Sequence, residues 1–207
     1  MSKITVIDHP LVKHKLTHLR DKTTEHFVFR KIVNELSYLM VYEATRGLKT
    51  RSVEVETPLE KTNSDVLDDD VVIVPILRAG LGMLEGCQSM IPNARVGFVG
   101  IYRNEETLEP VEYYLKIPNV ENAKLLLVDP MLATGGSLSA TVTRLKGLGA
   151  RHINIICILA SPEGIRKVEG EHPDVDIFCA CIDDGLDRNG YILPGIGDCG
   201  DRIFGTL

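Results

Sequence analysis

The apolar residues of this chain gather in short runs separated by stretches of mixed character. Leu125 to Val128 is unbroken. Asp70-Val-Val-Ile-Val-Pro-Ile-Leu77, Ala94 to Tyr102, Ile153 to Ala160 and Val175 to Ile182 are nearly so. Runs of this kind suit strands of a parallel sheet covered on both faces. Pro75 cannot donate to a ladder, so pairing is expected to stop near it. Between the runs the period changes. His9 to Arg20 reads as helical after Pro10. Residues from about Thr24 to Thr45 place Val28, Ile32, Leu36, Leu39 and Met40 at helical spacing and stop before Gly47. Leu138 to Leu148 is amphipathic and closes at Gly149, a C-cap signal. Ser161-Pro162-Glu163 reads as a helix start, with serine as N-cap and proline at N1. Ser52 to Pro58 instead alternates, Val53 and Val55 against Glu54 and Glu56, which predicts an exposed arm with one wet face. Strands alternating with helices predict an α/β class with a central, mostly parallel sheet flanked by helices.

Composition narrows this picture without changing it. The 207 residues suit one domain, 1–207, with a full core. Hydrophobic content of 44% and charged content of 25% are those of a soluble globular protein. The net charge of −6 disfavours broad binding to nucleic acid. No apolar run approaches membrane-spanning length, and the first residues lack the core of a signal peptide. Five cysteines without a C-x-x-C, mostly in apolar runs, read as reduced, buried thiols of a cytoplasmic protein.

The chemistry centres on Lys124-Leu-Leu-Leu-Val-Asp-Pro-Met-Leu-Ala-Thr-Gly-Gly-Ser-Leu138. It reads as a strand, an acidic tip at Asp129, a small-residue turn and a helix. A helix N-terminus leaves N–H groups unpaired and carries partial positive charge. Gly135 and Gly136 let a phosphate approach those groups, and Thr134 and Ser137 add hydroxyls. The residues alone also fit an ordinary tight βα turn. A Walker A loop is excluded because no lysine separates Gly136 from Ser137. The G-x-G-x-x-G spacing at Gly195, Gly197 and Gly200 leaves only seven residues after it, too few for a dinucleotide-binding βαβ unit.

Other stretches add candidates. Arg78-Ala79-Gly80-Leu81-Gly82 follows a strand and suits a second anion-binding turn, with Arg78 able to grip a diphosphate. A tight turn with a solvated arginine fits it equally. Tyr102-Arg103 ends another strand and leads into a polar stretch, 104–111, that suits a lid or a plain hairpin loop. His14 and His18 are four apart, but no glutamate follows His14, so helix packing is preferred over a metal site. Residues from Asp183 to Arg202 are rich in glycine and acids. A loop that long inside a compact domain is usually functional. Its backbone, with Tyr191 or Ile192, suits a flat neutral heterocycle.

The Asp-x-x-x-Ala-Thr-Gly-Gly-Ser loop resembles that of the type I phosphoribosyltransferases. Together with His9-Pro-Leu-Val-Lys-His-Lys-Leu-Thr-His-Leu-Arg20, Pro75-Ile-Leu-Arg-Ala-Gly-Leu-Gly-Met83 and Gly190-Tyr-Ile-Leu-Pro-Gly-Ile-Gly-Asp198, it resembles the uracil phosphoribosyltransferase family over nearly the whole chain. The resemblance implies a type I fold with a β-arm and a base-binding hood over about 183–207. It implies that uracil and 5-phospho-α-D-ribose 1-diphosphate (PRPP) give UMP and diphosphate with Mg²⁺. Asp129, Pro130, Met131, Leu132, Ala133, Thr134, Gly135, Gly136 and Ser137 would bind the ribose 5-phosphate part. Arg78 and Arg103 would bind the diphosphate. Ile192, Gly197, Asp198 and Cys199 would form the uracil pocket, with Asp198 also beside PRPP. Arg78, Arg103 and Asp198 would be the catalytic residues. The metal would arrive through PRPP, with no ligand set assigned to protein side chains. The family is oligomeric, so a dimer or tetramer is expected, and some members respond to GTP. Pro130 stands where most type I relatives carry a second acid. Cys199 stands where alanine is expected, a change the pocket should survive with altered affinity or thiol sensitivity.

Rival readings meet obstacles. Orotate would want a cation in the C-terminal loop, where only Arg188 and Arg202 stand among many acids. A nucleotide- and RNA-binding regulator on the same fold would want a basic face. A dead site is hard to reconcile with an intact Asp129 loop and both arginines.

Overall fold

The computed structural model describes the backbone of residues 2–103 and 110–206, and the side chains of these except Arg103 and Pro110. In chain order the elements are β1 (Ile4–Val6), α1 (Pro10–Arg20), α2 (His26–Ala44), β2 (Thr50–Glu56), β3 (Lys61–Leu67), β4 (Val71–Leu77), α3 (Leu81–Met90), β5 (Arg95–Val96) and β6 (Phe98–Arg103). There follow β7 (Pro110–Lys116), β8 (Lys124–Val128), β9 (Met131–Leu132), α4 (Gly136–Gly147), β10 (His152–Ala160), α5 (Pro162–Glu171), β11 (Asp176–Ile182), β12 (Gly185–Leu186), β13 (Ile192–Leu193) and α6 (Cys199–Phe204). The central sheet runs β1-β11-β10-β8-β4-β6-β7, and β7 is its one antiparallel strand among the described residues.

The apolar runs are continuous because both faces of the sheet are covered. Val71 and Ile73 of β4 pack with α1, α2 and α3, while Val72, Val74 and Ile76 pack with α4 and α5. In β8, Leu126 and Val128 face the first layer, and Leu125 and Leu127 the second. The period of two therefore survives, but neither phase is polar.

Several expectations need adjustment. Pairing of β4 with β8 stops at Pro75, opposite Val128, as a missing N–H predicts. Pairing with β6 runs on through Ile76 and Leu77. The run from Ala94 is split at Gly97 into β5 and β6. The arm is a hairpin, β2 against β3, open to solvent on both faces rather than one. The long C-terminal loop holds a small hairpin, β12 with β13, and the helix α6. The rings of His14 and His18 meet edge to face, 4.8 Å apart. Cys87, Cys157, Cys179 and Cys199 are buried free thiols, and Cys181 is half-buried. No helix among the described residues is long and apolar enough to cross a membrane.

The strand order creates the place for a site. From β4 the chain moves to β6 and β7 on one side, then crosses back to β8 on the other. α3 leaves the tip of β4 toward one face, and α4 leaves the tip of β8 toward the other. Such a switch point opens a crevice at the carboxyl ends of the strands.

Candidate active site

The β8 tip carries Asp129, whose N–H still donates to the Ile156 carbonyl at 3.2 Å. The next residues are anchored from below. The Pro130 carbonyl accepts the N–H groups of Ile158 and Leu159, at 2.9 and 3.0 Å. Met131 and Leu132 form β9 beside Leu159 and Ala160. The Leu132 carbonyl accepts the Ser161 N–H at 2.9 Å, and the Ala133 carbonyl accepts the Ser161 hydroxyl at 2.6 Å. Ser161 is also the N-cap of α5, accepting from Gly164 N–H at 2.9 Å.

Above this support the turn rises to α4. Gly135 is its N-cap with φ of 78°, a left-handed conformation that glycine adopts without strain. No capping side chain closes the helix start there, and Thr134 Oγ1 lies 3.5 Å from the Gly136 nitrogen. The result is a notch of about 80 Å³, lined by Asp129 and by residues 134–137. Its N–H groups and the end of the helix dipole favour an anion.

The notch adjoins a cavity of about 680 Å³, the size of a small-ligand site. Asp129, Met131 and Ala133 form one wall. Ile192, Gly197, Asp198 and Cys199 form the other. Asp198 caps α6 by accepting the Asp201 N–H at 2.9 Å. Gly197 takes φ of 73°, which opens the backbone toward the space. Asp129 is half-buried at the junction of cavity and notch. Burial pushes its carboxyl up to about 7, against the opposing hydrogen bond from Met131 N–H. Burial, then the charges of Asp129 and Asp198, hold the Cys199 thiol well above its ordinary value, so it stays protonated.

Most of the residues singled out in the sequence therefore meet. Pro130 and Leu132 do not line either space; both are buried and act through their carbonyls. Arg78 follows the cis Leu77–Arg78 peptide at the tip of β4, next to Ala79 in the cavity wall. Arg103 ends β6, its side chain outside the described residues, as are residues 104–109 of the expected lid. Sequence reasoning missed Asp201, which pairs with Arg78 at 3.1 Å, and Asn189 and Gly190, which line the cavity. Asp201 lay within Asp198-Cys-Gly-Asp-Arg202, but only an N-cap spacing hinted at its place. Two carboxylates on one cavity are hard donors of the kind that share Mg²⁺ with substrate phosphates. No cluster of three or more His, Cys, Asp or Glu among the described residues could hold a metal alone.

A phosphate notch beside a base-sized cavity, at the switch point of this sheet, defines a type I phosphoribosyltransferase. A hypoxanthine-guanine phosphoribosyltransferase from Bacillus anthracis shares the fold with a TM-score of 0.51 and 9% identity, over 76% of this chain and 80% of that one. A family model described as uracil phosphoribosyltransferase matches residues 6–206. A uracil phosphoribosyltransferase of Finegoldia magna is 55% identical over 208 residues, spanning 100% of both chains. The solved AQ2163 protein of Aquifex aeolicus is 39% identical with a TM-score of 0.94, covering 98% of each chain. The chain belongs to the uracil phosphoribosyltransferase family.

Proposed function

We propose that this chain transfers the 5-phosphoribosyl group of PRPP to N1 of uracil, giving UMP and diphosphate in pyrimidine salvage. One observation carries the reading: the Asp129 turn and the Gly197–Cys199 turn line a single cavity. A phosphate-binding half and a flat-base half joined in this way suit a sugar phosphate on one side and a pyrimidine on the other.

The reaction breaks the ribose C1–oxygen bond, with both electrons leaving on diphosphate, and forms the N1–C1 bond while N1 loses its proton. The sugar becomes cationic in between, as in glycosyl transfer generally. Residues 134–137 hold the 5-phosphate by backbone N–H groups and hydroxyls. Asp129, with residues 130–133 beneath it, faces the ribose. Arg78 and Arg103 neutralise charge that grows on the departing diphosphate. Ile192 packs the uracil face, and the backbone of Gly197, Asp198 and Cys199 hydrogen-bonds its edge. Asp198 orients the base or accepts its proton. When bound with PRPP, Mg²⁺ supplies further positive charge to the diphosphate. Residues 110 and 111 of the expected lid belong to β7, so the lid is proposed for 104–109, where it would exclude water from the cationic sugar.

We read residues 1–207 as one working unit, with about 183–207 as the hood over the base. A homo-oligomer, dimer or tetramer, suits the exposed arm, where Val55, Leu59 and Leu67 lie open to solvent. Cytoplasmic location fits the free thiols. GTP activation rests on the family resemblance alone.

The test is UMP formation by purified protein from uracil and PRPP with Mg²⁺. Parallel samples omit PRPP or Mg²⁺, replace uracil by cytosine, orotate or hypoxanthine, or add GTP. UMP formed only when uracil and PRPP are both present supports the reading. No product from any base, with PRPP still bound, would overturn it.

A further inference from the structure

Two arginines tie the N-terminal helix to the turn that shapes the base side of the cavity. Arg20, the last residue of α1, forks onto Asp183 with Nη2–Oδ1 of 2.6 Å and Nη1–Oδ2 of 2.8 Å. The same Nη1 donates to the Gly195 carbonyl at 3.0 Å, and the Gly195 N–H donates to Asp183 Oδ2 at 3.0 Å. Both backbone groups of Gly195 thus close on one ion pair. The second arginine, Arg202 of α6, donates to the Ile196 carbonyl at 2.8 Å, to the Leu19 carbonyl at 2.6 Å and to the Asp21 carbonyl at 2.6 Å. It therefore caps the free carbonyls at the end of α1 while holding the next residue of the turn. Its guanidinium also lies over the Phe29 ring, 4.3 Å from the centroid.

The turn these arginines hold runs from Ile192 to Gly197, both in the cavity wall. It is tight: Gly195 has φ of 62°, and a Cβ there would fall 2.1 Å from the Ile192 carbonyl oxygen. The Asp183 side chain is only 3% exposed and that of Arg20 28%. Burial alone would raise the Asp183 carboxyl, but the Arg20 guanidinium and the Gly195 N–H hold it below its ordinary range. A buried ion pair is a poor source of stability, because desolvation offsets most of its attraction. What a bidentate pair does supply is a defined geometry. Here that geometry belongs to the segment between two cavity residues.

We propose that Arg20, through Asp183, and Arg202 are positioning residues for uracil, so that α1 is part of the base-binding device although it does not line the cavity. The inference rests on the uracil reading above. It separates from mere structural support because it concerns one substrate and not the other. The phosphate turn is held from a different side, by Ser161 and by β10.

The experiment measures KM for uracil and for PRPP separately, with melting temperature, in wild type, Arg20→Met, Arg20→Lys and the control Lys15→Met. Lys15 pairs with Glu35 of α2 at 2.6 Å, elsewhere on α1. Arg20→Met should raise the uracil KM about tenfold or more, the order of effect that small misplacement produces, and leave the PRPP KM within about twofold. Arg20→Lys should not restore it, since an ammonium cannot fork onto Asp183 and Gly195 together. Lys15→Met should leave both constants unchanged. If Arg20→Met does not fold, the pair Arg20→Met/Asp183→Leu removes both buried charges and carries the same comparison. Folded variants with an unchanged uracil KM, or with both constants raised alike, would overturn the proposal. A wild-type protein inactive with uracil would overturn the reading beneath it, so the two failures are distinct.

Discussion

Arg78 Nη2 lies 3.1 Å from Asp201 Oδ1, joining the turn after β4 to the first turn of α6 across 123 positions. Asp201 also accepts the Thr206 hydroxyl at 2.6 Å. Thr206, and then Arg78, hold its carboxyl below the ordinary range. The N-cap of the same helix is Asp198, and its first residue is Cys199; both line the cavity. Asp201 thus holds the arginine proposed for diphosphate beside the first turn of α6.

Removing that link should affect one substrate more than stability. Asp201→Asn keeps the backbone N–H that Asp198 accepts, but weakens the grip on Arg78. Arg78 is exposed and Asp201 partly so, and water screens such a pair, so the melting temperature should move by no more than about 2 °C. The PRPP KM should rise severalfold. Initial rates at varied PRPP decide this, and a constant within a factor of two would detach the pair from diphosphate binding.

Two glycines of α5 predict opposite outcomes. A Cβ on Gly164 would fall 2.4 Å from the Ala133 carbonyl oxygen and 2.8 Å from that of Leu132, both in the phosphate turn. Gly164→Ala should destabilise by about 1–3 kcal/mol and raise the PRPP KM. A Cβ on Gly170 meets nothing within 4 Å. Gly170→Ala should stabilise by about 0.5–1 kcal/mol, with kinetics unchanged. Urea unfolding and PRPP titration of the two variants give the comparison.

Asp129 makes stability depend on pH in a defined direction. Its native carboxyl is raised to about 7 from 3.8. Well below pH 3.8 both native and unfolded chains hold the proton. As pH rises to about 7 the unfolded chain releases it first, so the native state loses stability, and the loss is complete above 7. Asp129→Asn cannot titrate. Without ligands, its stability relative to wild type should improve between pH 5 and pH 8, by about 1–2 kcal/mol after allowing for water in the cavity. Its activity should fall. A stability difference that is flat with pH would refute the assignment.

Cys199 should be slow to react despite lining the cavity. Its side chain is buried, and neighbouring carboxylates disfavour the thiolate, the reactive form. Iodoacetamide near pH 7.5 should label the half-buried Cys181 before Cys199, as peptide mapping would record. Cys199→Ala should keep activity and cost about 1 kcal/mol or less. Fast labelling of Cys199 in folded protein would contradict the burial argument.

Much of the fold is carried by local pattern. Strands covered on both faces are apolar wherever they are covered, so β4, β8 and β10 announce themselves in the runs Val71–Leu77, Leu125–Val128 and Ile155–Ala160, with Lys124, His152 and Asn154 at their less buried starts. The Asp129–Ser137 turn is equally local, since acid, small residues and helix start are contiguous. The β1 edge and α6 escaped, because three and six residues are too few to show a period. So did β3, whose seven residues are all exposed and leave no apolar phase to read. Other features belong to the tertiary structure alone. Only the strand order brings the tips of β4 and β8 together at a switch point. Only folding brings Arg20 to Asp183, 163 positions away, and Arg78 to Asp201. A polar pair has no periodicity, and its partners become recognisable once the backbone has set their distance. The sequence by itself thus determined the covered strands and the phosphate turn, whose physics is local. The tertiary structure decided the cavity and the arginines that hold it, because those contacts join distant parts of the chain.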